Sequence, residues 1–383
     1  MKIIKKIFKF SFLAIVLFII YVAICLTHGT FTDFQPEETI KLKIESSGQK
    51  EIIVKNRLTF LNWNIGYGGL GAKSNFFYDD NRFFFSGDKM VRSPQEFVIE
   101  NIAGISKFIS ENKTDFILLQ EVDQNSRRSY FINQHEKYLT QLPEYSSSFA
   151  YNFLVKRVAI PIFSPWNVMG QMESGLSSFS KYKAQTSTRY QFPGSYGWPD
   201  YIFHLDRCMS VQKYKTAHPE GKELVIVNTH NSAYDGGKLK DKEMQYFREF
   251  ILKEYNKGNY IVVGGDWNQT PPNVPFDKAG LAIGVATDST YQPANIASDF
   301  LPEDWQWTFD DKVPTNRALK NVLDYGKTPV TLIDYFLVSP NINVIKVEGK
   351  NLKFEHSDHN PVMMEIELIG LEEIKTDSNI IVQ

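Results

Sequence analysis

The sequence contains few cysteines, little net charge and no evident internal repeat. Its 383 residues include only Cys25 and Cys208, too few for a disulfide framework or a cysteine-rich zinc site. A formal net charge of −2 excludes a strongly basic protein that holds nucleic acid mainly by bulk electrostatics. A charged fraction of 22% argues against a disordered chain, and this length can bury a core without disulfides.

The N-terminal segment differs from the rest of the chain. Four lysines within the first nine residues precede an uncharged apolar run from Phe10 to Thr27. As a helix this run is about 27 Å long, close to the roughly 30 Å of a bilayer core. Lysines at this end favour a cytoplasmic N-terminus with the rest of the chain outside. We therefore predict that residues 1–27 are a transmembrane anchor or a signal segment.

Cleavage and lipidation are the alternatives to a retained anchor. Thr27 and Gly29 form a weak small-x-small cleavage site. Cys25 could carry a lipid, although Ile24 is larger than the residue that normally precedes a lipidated cysteine. Each alternative leaves the body of the protein outside the cytoplasmic membrane, either anchored or secreted. That body has a net charge near −6, because the first 27 residues contain four lysines and no acidic residue.

The remaining chain is predicted to form one large domain. Residues 28–56 are polar and indicate a linker or an entry strand, residues 57–370 form the domain, and residues 371–383 are a loose tail. Short apolar runs within the domain predict six buried strands. These runs are Leu58–Trp63, Phe116–Leu119, Glu223–Asn228, Tyr260–Val263, Leu332–Val338 and Pro361–Leu368.

Two helices are predicted between these strands. Ser93-Pro94-Gln95-Glu96 has the pattern of a capping box with proline at the first helical position. Apolar residues then recur at helical spacing from Val98 to Ile109. A second helix is expected over about Leu239–Tyr255. Strands and helices are mixed without strict alternation, which predicts an α/β fold of packed sheets flanked by helices.

Polar residues repeatedly follow the apolar strands, and their types suit phosphoester hydrolysis assisted by a metal ion. A hard divalent cation such as Mg²⁺, or alternatively Mn²⁺, takes oxygen ligands and only one or two carboxylates. Asn64, Glu121 and Asp358 can supply these oxygens. If the strands are neighbours in two sheets, their ends can converge on a single cleft.

Five further residues are candidates for the reaction itself. Asp266 can hold or deprotonate the attacking water, and Asn268 can donate to a phosphate oxygen. His359 can donate to the phosphoryl oxygens if a carboxylate keeps it protonated and oriented, and Asp334 is the natural partner. His230 adds a second imidazole, either as the acid for the leaving oxygen or as a phosphate ligand.

Six short motifs together resemble the endonuclease/exonuclease/phosphatase superfamily, of the deoxyribonuclease and neutral sphingomyelinase type. They are Asn62-Trp63-Asn64, Gln120-Glu121-Val122-Asp123, Asn228-Thr229-His230, Gly265-Asp266-Trp267-Asn268, Ile333-Asp334-Tyr335 and Ser357-Asp358-His359. The resemblance implies a four-layer α/β sandwich, two packed β-sheets flanked by helices. It also implies Mg²⁺ at Glu121 with Asn64 and Asp358 nearby, and the roles given above for the catalytic residues. A histidine at position 230 is typical of the nuclease and sphingomyelinase branches and disfavours a DNA-repair role.

The substrate stays open at this point. A metal-dependent hydrolase of phosphodiesters or phosphomonoesters is predicted, acting on a phospholipid, a nucleic acid, or a sugar or inositol phosphate. The lipid hydrolase and the extracellular nuclease are the named alternatives. A catalytically silent binding module would have lost motif residues, and all six motifs are present. The predicted partners are the substrate and, through the N-terminal segment, the membrane; no protein partner is predicted.

Two segments outside the motifs have alternative interpretations. Asn75–Arg92 is an aromatic insertion, either a lid on the substrate side or a plain hydrophobic clasp. Tyr196-Gly197-Trp198-Pro199 is expected to be an exposed aromatic loop that could touch a membrane interface.

Overall fold

The computed structural model describes residues 2–45, 49–80, 82–233, 238–274 and 293–372. The described residues form four α-helices, which are α1 Lys2–Thr32, α2 Gln95–Glu111, α3 Gln134–Gln141 and α4 Lys238–Tyr255. Four short 3₁₀ helices span Gly66–Gly68, Tyr78–Asp80, Arg127–Ser129 and Asp200–Phe203.

The strands within the same residues are β1 Thr39–Lys41, β2 Ile52–Ile53, β3 Arg57–Asn64, β4 Phe116–Asp123, β5 Ser146–Val158, β6 Gly170–Ser180, β7 Thr186–Gln191, β8 Cys208–Thr216, β9 Glu223–His230, β10 Tyr260–Asp266, β11 Gln306–Thr308, β12 Asn316–Arg317, β13 Val330–Thr331, β14 Asp334–Val338, β15 Ile342–Gly349 and β16 Val362–Leu368. Each of the six predicted strands is present, and most extend a few residues further than predicted.

The strands form two large sheets. The first sheet has the order β1-β7-β8-β9-β10-β14-β11, with β2 paired to β8. The second has the order β15-β16-β3-β4-β6-β5. Most pairs are antiparallel, but β2 with β8, β9 with β10 and β3 with β4 are parallel. In the last two of these pairs the carboxyl ends of both strands meet at one edge, where the motif residues lie.

The sheets pack face to face through alternate residues of their strands. Phe60 and Leu118 of the second sheet meet Ile226, Val262 and Phe336 of the first in one buried cluster. The intervening residues of the second sheet point outward. Because side chains alternate along a strand, each sheet has an inner face toward the other sheet and an outer face toward the helices.

Helices cover both outer faces. Ile105 and Ile109 of α2 pack with Leu61 and Ile117 of the second sheet, while α4 packs its Phe247 on the first sheet. The order helix, sheet, sheet, helix confirms the four-layer α/β sandwich.

The predicted capping box is wrong, although the helix that it introduces is present. Helix α2 begins after Pro94, and no side chain caps its first turn. Ser93 instead donates through Oγ to the carbonyl of Gly69 at 2.5 Å. The Ser93 hydroxyl, which the capping-box pattern predicted would bond the first turn of α2, therefore bonds the loop after β3 instead.

The N-terminal helix is longer than the predicted segment, and the expected linker is partly sheet. Helix α1 reaches Thr32, and from Ile3 onward it is long and apolar enough to cross a membrane. Strand β1 then pairs with β7, and β2 pairs with β8. Most of the predicted tail, residues 373–383, lies outside the described residues, while Leu371 is buried against the core between the sheets.

Candidate active site

Three predicted residues lie side by side because of the strand register in the first sheet. Asp266, the last residue of β10, is the register partner of His230 on β9 and of Asp334 on β14. The parallel β9–β10 pair places His230 and Asp266 at the carboxyl ends of their strands. The antiparallel β14 begins at the same level, so its first residue, Asp334, joins them.

The second sheet contributes Asn64 and Glu121 opposite this row. Glu121 has a φ of 53°, in an irregularity of β4 between Leu119 and Val122. This left-handed conformation breaks the alternation of the strand. Asn64 then bridges the two sheets, because its Nδ2 donates to Asp266 Oδ2 at 2.9 Å and to Glu121 Oε1 at 3.2 Å.

A buried layer of amides supports these residues from below. Gln120 donates through Nε2 to the side-chain oxygens of Asn62 and Asn228, both at 2.8 Å. Asn62 donates to the carbonyl of Gly265 at 3.1 Å, and Asn228 donates to the carbonyl of Ser177 at 3.0 Å. The bond from Gln120 to Asn62 lies within the second sheet, and the other three run between the two sheets. They fix the spacing between strand ends that carry the catalytic candidates.

Asp358 reaches the cleft from the loop before β16. Its carboxylate lies so close to Gly66 that a Cβ on this glycine would come within 2.6 Å of Oδ1. Gly66 has a φ of 50° and donates through its amide to Asn64 Oδ1 at 3.0 Å. Burial, with a further contribution from the charge of Glu121, raises the pKa of Asp358 to about 7. Because residue 66 is a glycine, the carboxylate of Asp358 can therefore be buried here, near the carboxylate of Glu121.

His359 is held by Asp334 in a buried ion pair. Its Nδ1 lies 2.7 Å from Asp334 Oδ2, and its Nε2 lies 3.8 Å from both Asp266 and Asp358. Burial alone would lower the pKa of His359, but the carboxylates of Asp334 and Asp358 outweigh it and raise that pKa to about 10. His359 is thus an imidazolium at neutral pH, oriented by the carboxylate that the sequence assigned to it.

His230 has the opposite electrostatic environment. Burial lowers its pKa well below the usual value, and the positive charges of Arg207 and His359 lower it further. Its Nε2 lies 3.4 Å from Asp266 Oδ2, and its Nδ1 is buried without a hydrogen-bond partner. The cleft therefore holds one charged and one neutral imidazole on either side of Asp266.

Asn268 lines the cleft, but its side-chain amide is already bonded. It donates through Nδ2 to the carbonyl of Asn231 at 2.9 Å, and its backbone amide donates to Asp266 Oδ1 at 3.0 Å. The backbone bond orients the Asp266 carboxylate. A bond from the side chain to a phosphate would have to replace the one to Asn231.

The oxygen-rich donor set fits a divalent cation. Glu121 and Asp358 are neighbouring carboxylates, and the charge of Glu121 contributes to the raised pKa of Asp358. Because residue 66 is a glycine, there is space beside the carboxylate of Asp358. Asn64 presents its amide nitrogen to Glu121, so its oxygen would reach an ion only if the amide turned over. Asp266, Asp334 and His359 also place ligand atoms within 4.8 Å of one another. Asp334 and His359 are already bonded to each other at 2.7 Å, so these three residues form a hydrogen-bonded chain. Glu121 and Asp358 are therefore the better pair for an ion.

Sequence reasoning missed several residues that build the site. The side-chain amide of Asn316 lies 2.8 Å from His359 Nε2, and Thr315 Oγ1 accepts from the amide of Asp334 at 2.9 Å. They belong to a loop and a two-residue strand, where the sequence has no apolar pattern to mark them. Arg127 and Arg128 are different, because the sequence places them shortly after Glu121 as either phosphate contacts or surface residues. Arg128 is buried within 3.9 Å of Glu121 and pairs with Asp123 at 2.9 Å, whereas Arg127 bonds the carbonyl of Val168.

The site opens into a cleft of about 580 Å³ with one apolar wall. The insertion after β3 contributes Phe76, Tyr78 and Phe83 to this wall. In the same insertion Phe77 is completely buried against Phe153 and Met172. The insertion therefore acts as a hydrophobic clasp that also lines the cleft. The 196–199 loop is exposed at Trp198, and Tyr196 lines the cleft.

Comparison with known proteins agrees with this architecture. The family model described as Endonuclease/Exonuclease/phosphatase family matches residues 61–359, and the chain belongs to this family. It is accordingly a hydrolase of phosphoester bonds. No match is found among the curated proteins.

Two solved structures illustrate the shared fold. An endonuclease/exonuclease/phosphatase from Beutenbergia cavernae is 14% identical with a TM-score of 0.52, over 82% of this chain and 72% of that one. ANGEL2, a 2′,3′-cyclic phosphatase in complex with adenosine-2′,3′-vanadate, is 16% identical with a TM-score of 0.50, over 88% of this chain and 99% of that one. At such identities the likeness describes the fold alone.

Proposed function

We propose that the protein is a metal-dependent phosphodiesterase or phosphatase in which water attacks phosphorus directly. The observation that carries this proposal is the hydrogen-bonded chain Asp334–His359 beside Asp266, bridged by Asn64 to Glu121. It combines a charged donor, a carboxylate base and a nearby pair of acidic side chains. A bound Mg²⁺ or Mn²⁺ would supply Lewis-acid stabilisation of the phosphoryl oxygens.

The chain's own residues account for the movement of protons. Asp266 accepts a proton from water as the new oxygen–phosphorus bond forms, and the bond from phosphorus to the leaving oxygen breaks with its electron pair. Imidazolium His359 donates a hydrogen bond to the growing negative charge. The leaving oxygen then takes the proton that Asp266 accepted from water, and neutral His230 relays that proton. One water is consumed for each alcohol and phosphate product, so the step balances without a covalent enzyme intermediate.

We propose that Glu121 and Asp358 bind the cation and that Asn64 orients their carboxylates. A chelator should abolish turnover of a chromogenic phosphodiester by the full-length protein, and added Mg²⁺ or Mn²⁺ should restore it. Comparing the two ions at equal concentration identifies the preferred one. Turnover that survives exhaustive chelation would contradict metal dependence.

Replacement of the central residues tests the mechanism. We expect His359→Ala and Asp266→Ala each to lower kcat by about 10³-fold or more, because each removes a charge-stabilising or proton-accepting group. His135→Gln is the matched control, since His135 is also buried but bonds Ser177 on the outer face of the second sheet. Unchanged turnover in either site variant, with an unchanged melting temperature, would exclude this mechanism.

We further propose that the domain of residues 57–370 acts outside the cytoplasmic membrane, held there by α1. Support comes from the apolar helix over Ile3–Thr32 and the lysines at its start. Protease added to intact cells should digest the catalytic domain, and the same treatment should leave a cytoplasmic marker intact. Full protection of the domain until the cells are lysed would contradict this orientation.

A further inference from the structure

A buried amide in the wall of the cleft has an unused donor. Asn152 lines the cleft and is only 1% exposed. Among the residues that the structure describes, none accepts a hydrogen bond from its Nδ2. A buried donor without a partner is destabilising, and folded proteins keep few of them. Such a donor in the wall of a cleft indicates a ligand that would complete its hydrogen bonds.

An irregularity in β5 accounts for the position of Asn152. Tyr151 is the register partner of Gly175 and Phe153 is the partner of Ser174, so Asn152 is the extra residue of a β-bulge. Bulges redirect a side chain and occur often beside active sites. Asn152 therefore leaves the regular alternation of the strand, as Glu121 does on β4.

The carbonyl that precedes Asn152 joins β5 to the first sheet. Arg189 of β7 donates through Nε to the carbonyl of Tyr151 at 2.7 Å, and the Cys208 thiol of β8 lies 3.8 Å from the same oxygen. Asn152 is thus placed where the edge strand of the second sheet meets the first sheet. Arg207, the residue before Cys208, belongs to the first-sheet side of this junction and also lines the cleft.

Two arginines place positive charge in this part of the cleft, next to His230. Arg207 Nη1 lies 3.4 Å from the carbonyl of His230. Besides burial, the charges of Arg207 and Arg128 both lower the pKa of His230. Arg128 also donates through Nη2 to Ser174 at 3.1 Å, at the level of the bulge. Both guanidinium groups and the Asn152 amide therefore lie around one region of the cleft.

Arg128 is fixed in place and keeps a donor for a ligand. Asp123 accepts from its Nε and Nη2, and the Tyr67 ring lies 3.7 Å from its guanidinium carbon. The ring contact holds the guanidinium plane without using an N–H group. Arg128 Nη1 is 3.9 Å from Glu121 Oε2, which is too far for a hydrogen bond. This nitrogen is therefore left for a group bound in the cleft.

Arg207 is the less constrained of the two arginines. An arginine has five N–H donors, and the contact with the His230 carbonyl is long and uses one of them. Within the described ranges, no ion pair joins Arg207 to a carboxylate. Asp206 precedes it and lines the cleft, but the charges that act on the pKa of Asp206 are those of Asp33 and Arg189. Arg207 can therefore turn its remaining donors to a ligand.

We propose that Asn152, Arg128 and Arg207 form an anion subsite beside the reacting centre, and that it binds a second, terminal phosphate of the substrate. The proposal rests on the proposed function and deepens it by naming a charged group that the preferred substrate carries near the cleaved ester. Two guanidinium groups and an amide suit the three oxygens of a phosphate better than the two oxygens of a carboxylate.

Titration calorimetry tests the subsite without any turnover. We titrate the full-length protein, in detergent with Mg²⁺, with 1,3-propanebisphosphonate and with propylphosphonate, neither of which contains an ester. The wild-type protein should bind the bisphosphonate at least tenfold more tightly, because its second group reaches the subsite. Arg207→Gln and Asn152→Leu should each remove most of that difference. Equal affinity for both compounds in the wild type would overturn the subsite.

A further substitution covers the case in which Asn152→Leu does not fold. Asn152→Asp keeps the size of the side chain and sets a carboxylate against the phosphate. It should weaken bisphosphonate binding at least as much as Asn152→Leu and leave the affinity for propylphosphonate less affected. Undiminished bisphosphonate binding by a folded Asn152→Asp variant would remove Asn152 from the subsite and overturn the proposal.

Turnover of three matched diesters tests the substrate assignment. Each is a p-nitrophenyl phosphodiester, and the second alcohol is 3-phosphonopropyl, 3-carboxypropyl or 3-hydroxypropyl. We expect kcat/KM to be at least tenfold higher for the phosphonate than for the hydroxyl compound. Arg207→Gln should lower this ratio at least fivefold, and Arg207→Lys should keep part of it. Arg248→Gln removes an exposed arginine that bonds the carbonyl of Phe300 and should leave the ratio unchanged.

The outcomes separate the subsite from the proposed function. Equal kcat/KM on the three diesters, or a preference for the carboxylate, overturns the second phosphate and leaves the proposed function standing. A ratio that survives both Arg207→Gln and Asn152→Leu in folded protein overturns the subsite as well. If the wild-type protein hydrolyses no phosphoester at all, the proposed function fails, and calorimetry still decides whether the subsite binds a phosphate group.

Discussion

The space between the two sheets is filled differently at its two ends. At one end Phe60, Phe116 and Phe336 form part of a wholly apolar cluster. At the other end the amides of Gln120 and Asn228 link the sheets by hydrogen bonds. Strand β14 passes through both, since Asp334 belongs to the polar end and Phe336, two residues later on the same face, to the apolar end.

The difference teaches where stability and chemistry are placed. Apolar burial contributes most to stability, because each large side chain removes apolar area from water. Buried amides and carboxylates contribute less net stability, since hydrogen bonds inside the protein replace bonds to water. Their directional bonds instead hold strand ends at fixed spacing, which a catalytic site requires. We expect substitutions at the two ends to separate activity from stability.

The largest effect is expected from Asp334→Asn at the polar end. The amide cannot hold His359 as an imidazolium, so kcat/KM should fall by about 10³-fold. Some stability should be lost as well, because the buried His359 loses its charged partner, but turnover per folded molecule should fall far more than stability does. Steady-state kinetics and thermal melting measure both quantities on one preparation. A variant that loses activity only in proportion to its unfolded fraction would erase the proposed distinction.

The next effect is expected from Phe336→Ala at the apolar end of the same strand. Phe336 is completely buried, and truncating it should lower the free energy of unfolding by about 3–5 kcal/mol. Turnover per folded molecule should stay within about twofold of the wild type, since Phe336 does not line the cleft. Urea unfolding followed by tyrosine and tryptophan emission gives the first value. Phe131→Ala, at an exposed ring, should leave stability nearly unchanged.

The sequence was sufficient to predict the polar end in outline. Asp266, Asp334 and His230 each follow or begin an apolar strand, and strand neighbours bring such residues together. The sequence could not predict the left-handed conformation of Glu121, because that depends on pairing between β4 and β6. It also could not predict Asn316, which reaches His359 only through the tertiary fold. The capping box failed for the same reason, since Ser93 bonds a distant loop.

The amide layer itself gives the third prediction. Asn228→Leu should lower the free energy of unfolding by about 2 kcal/mol, because it leaves the carbonyls of Leu119 and Ser177 without their donor. Turnover should fall by about three- to tenfold as the strand ends shift. Val227→Ala, next along β9 and facing α4, is the matched control. It should lose comparable stability without this loss of turnover, and equal loss of turnover would show that the amide layer has no special role.

The smallest effect is expected where a buried carboxylate lies at the apolar end. Asp115 is buried like Asp334, but it accepts from the amide and hydroxyl of Thr59 as well as from Lys55 at 2.8 Å. Lys55 is itself 39% exposed, so Lys55→Met should lower the free energy of unfolding by less than about 1 kcal/mol. Turnover should not change, and added salt should shrink the difference between the two proteins. A loss of several kcal/mol, or any loss of turnover, would mean that charge at this end matters as much as it does beside His359.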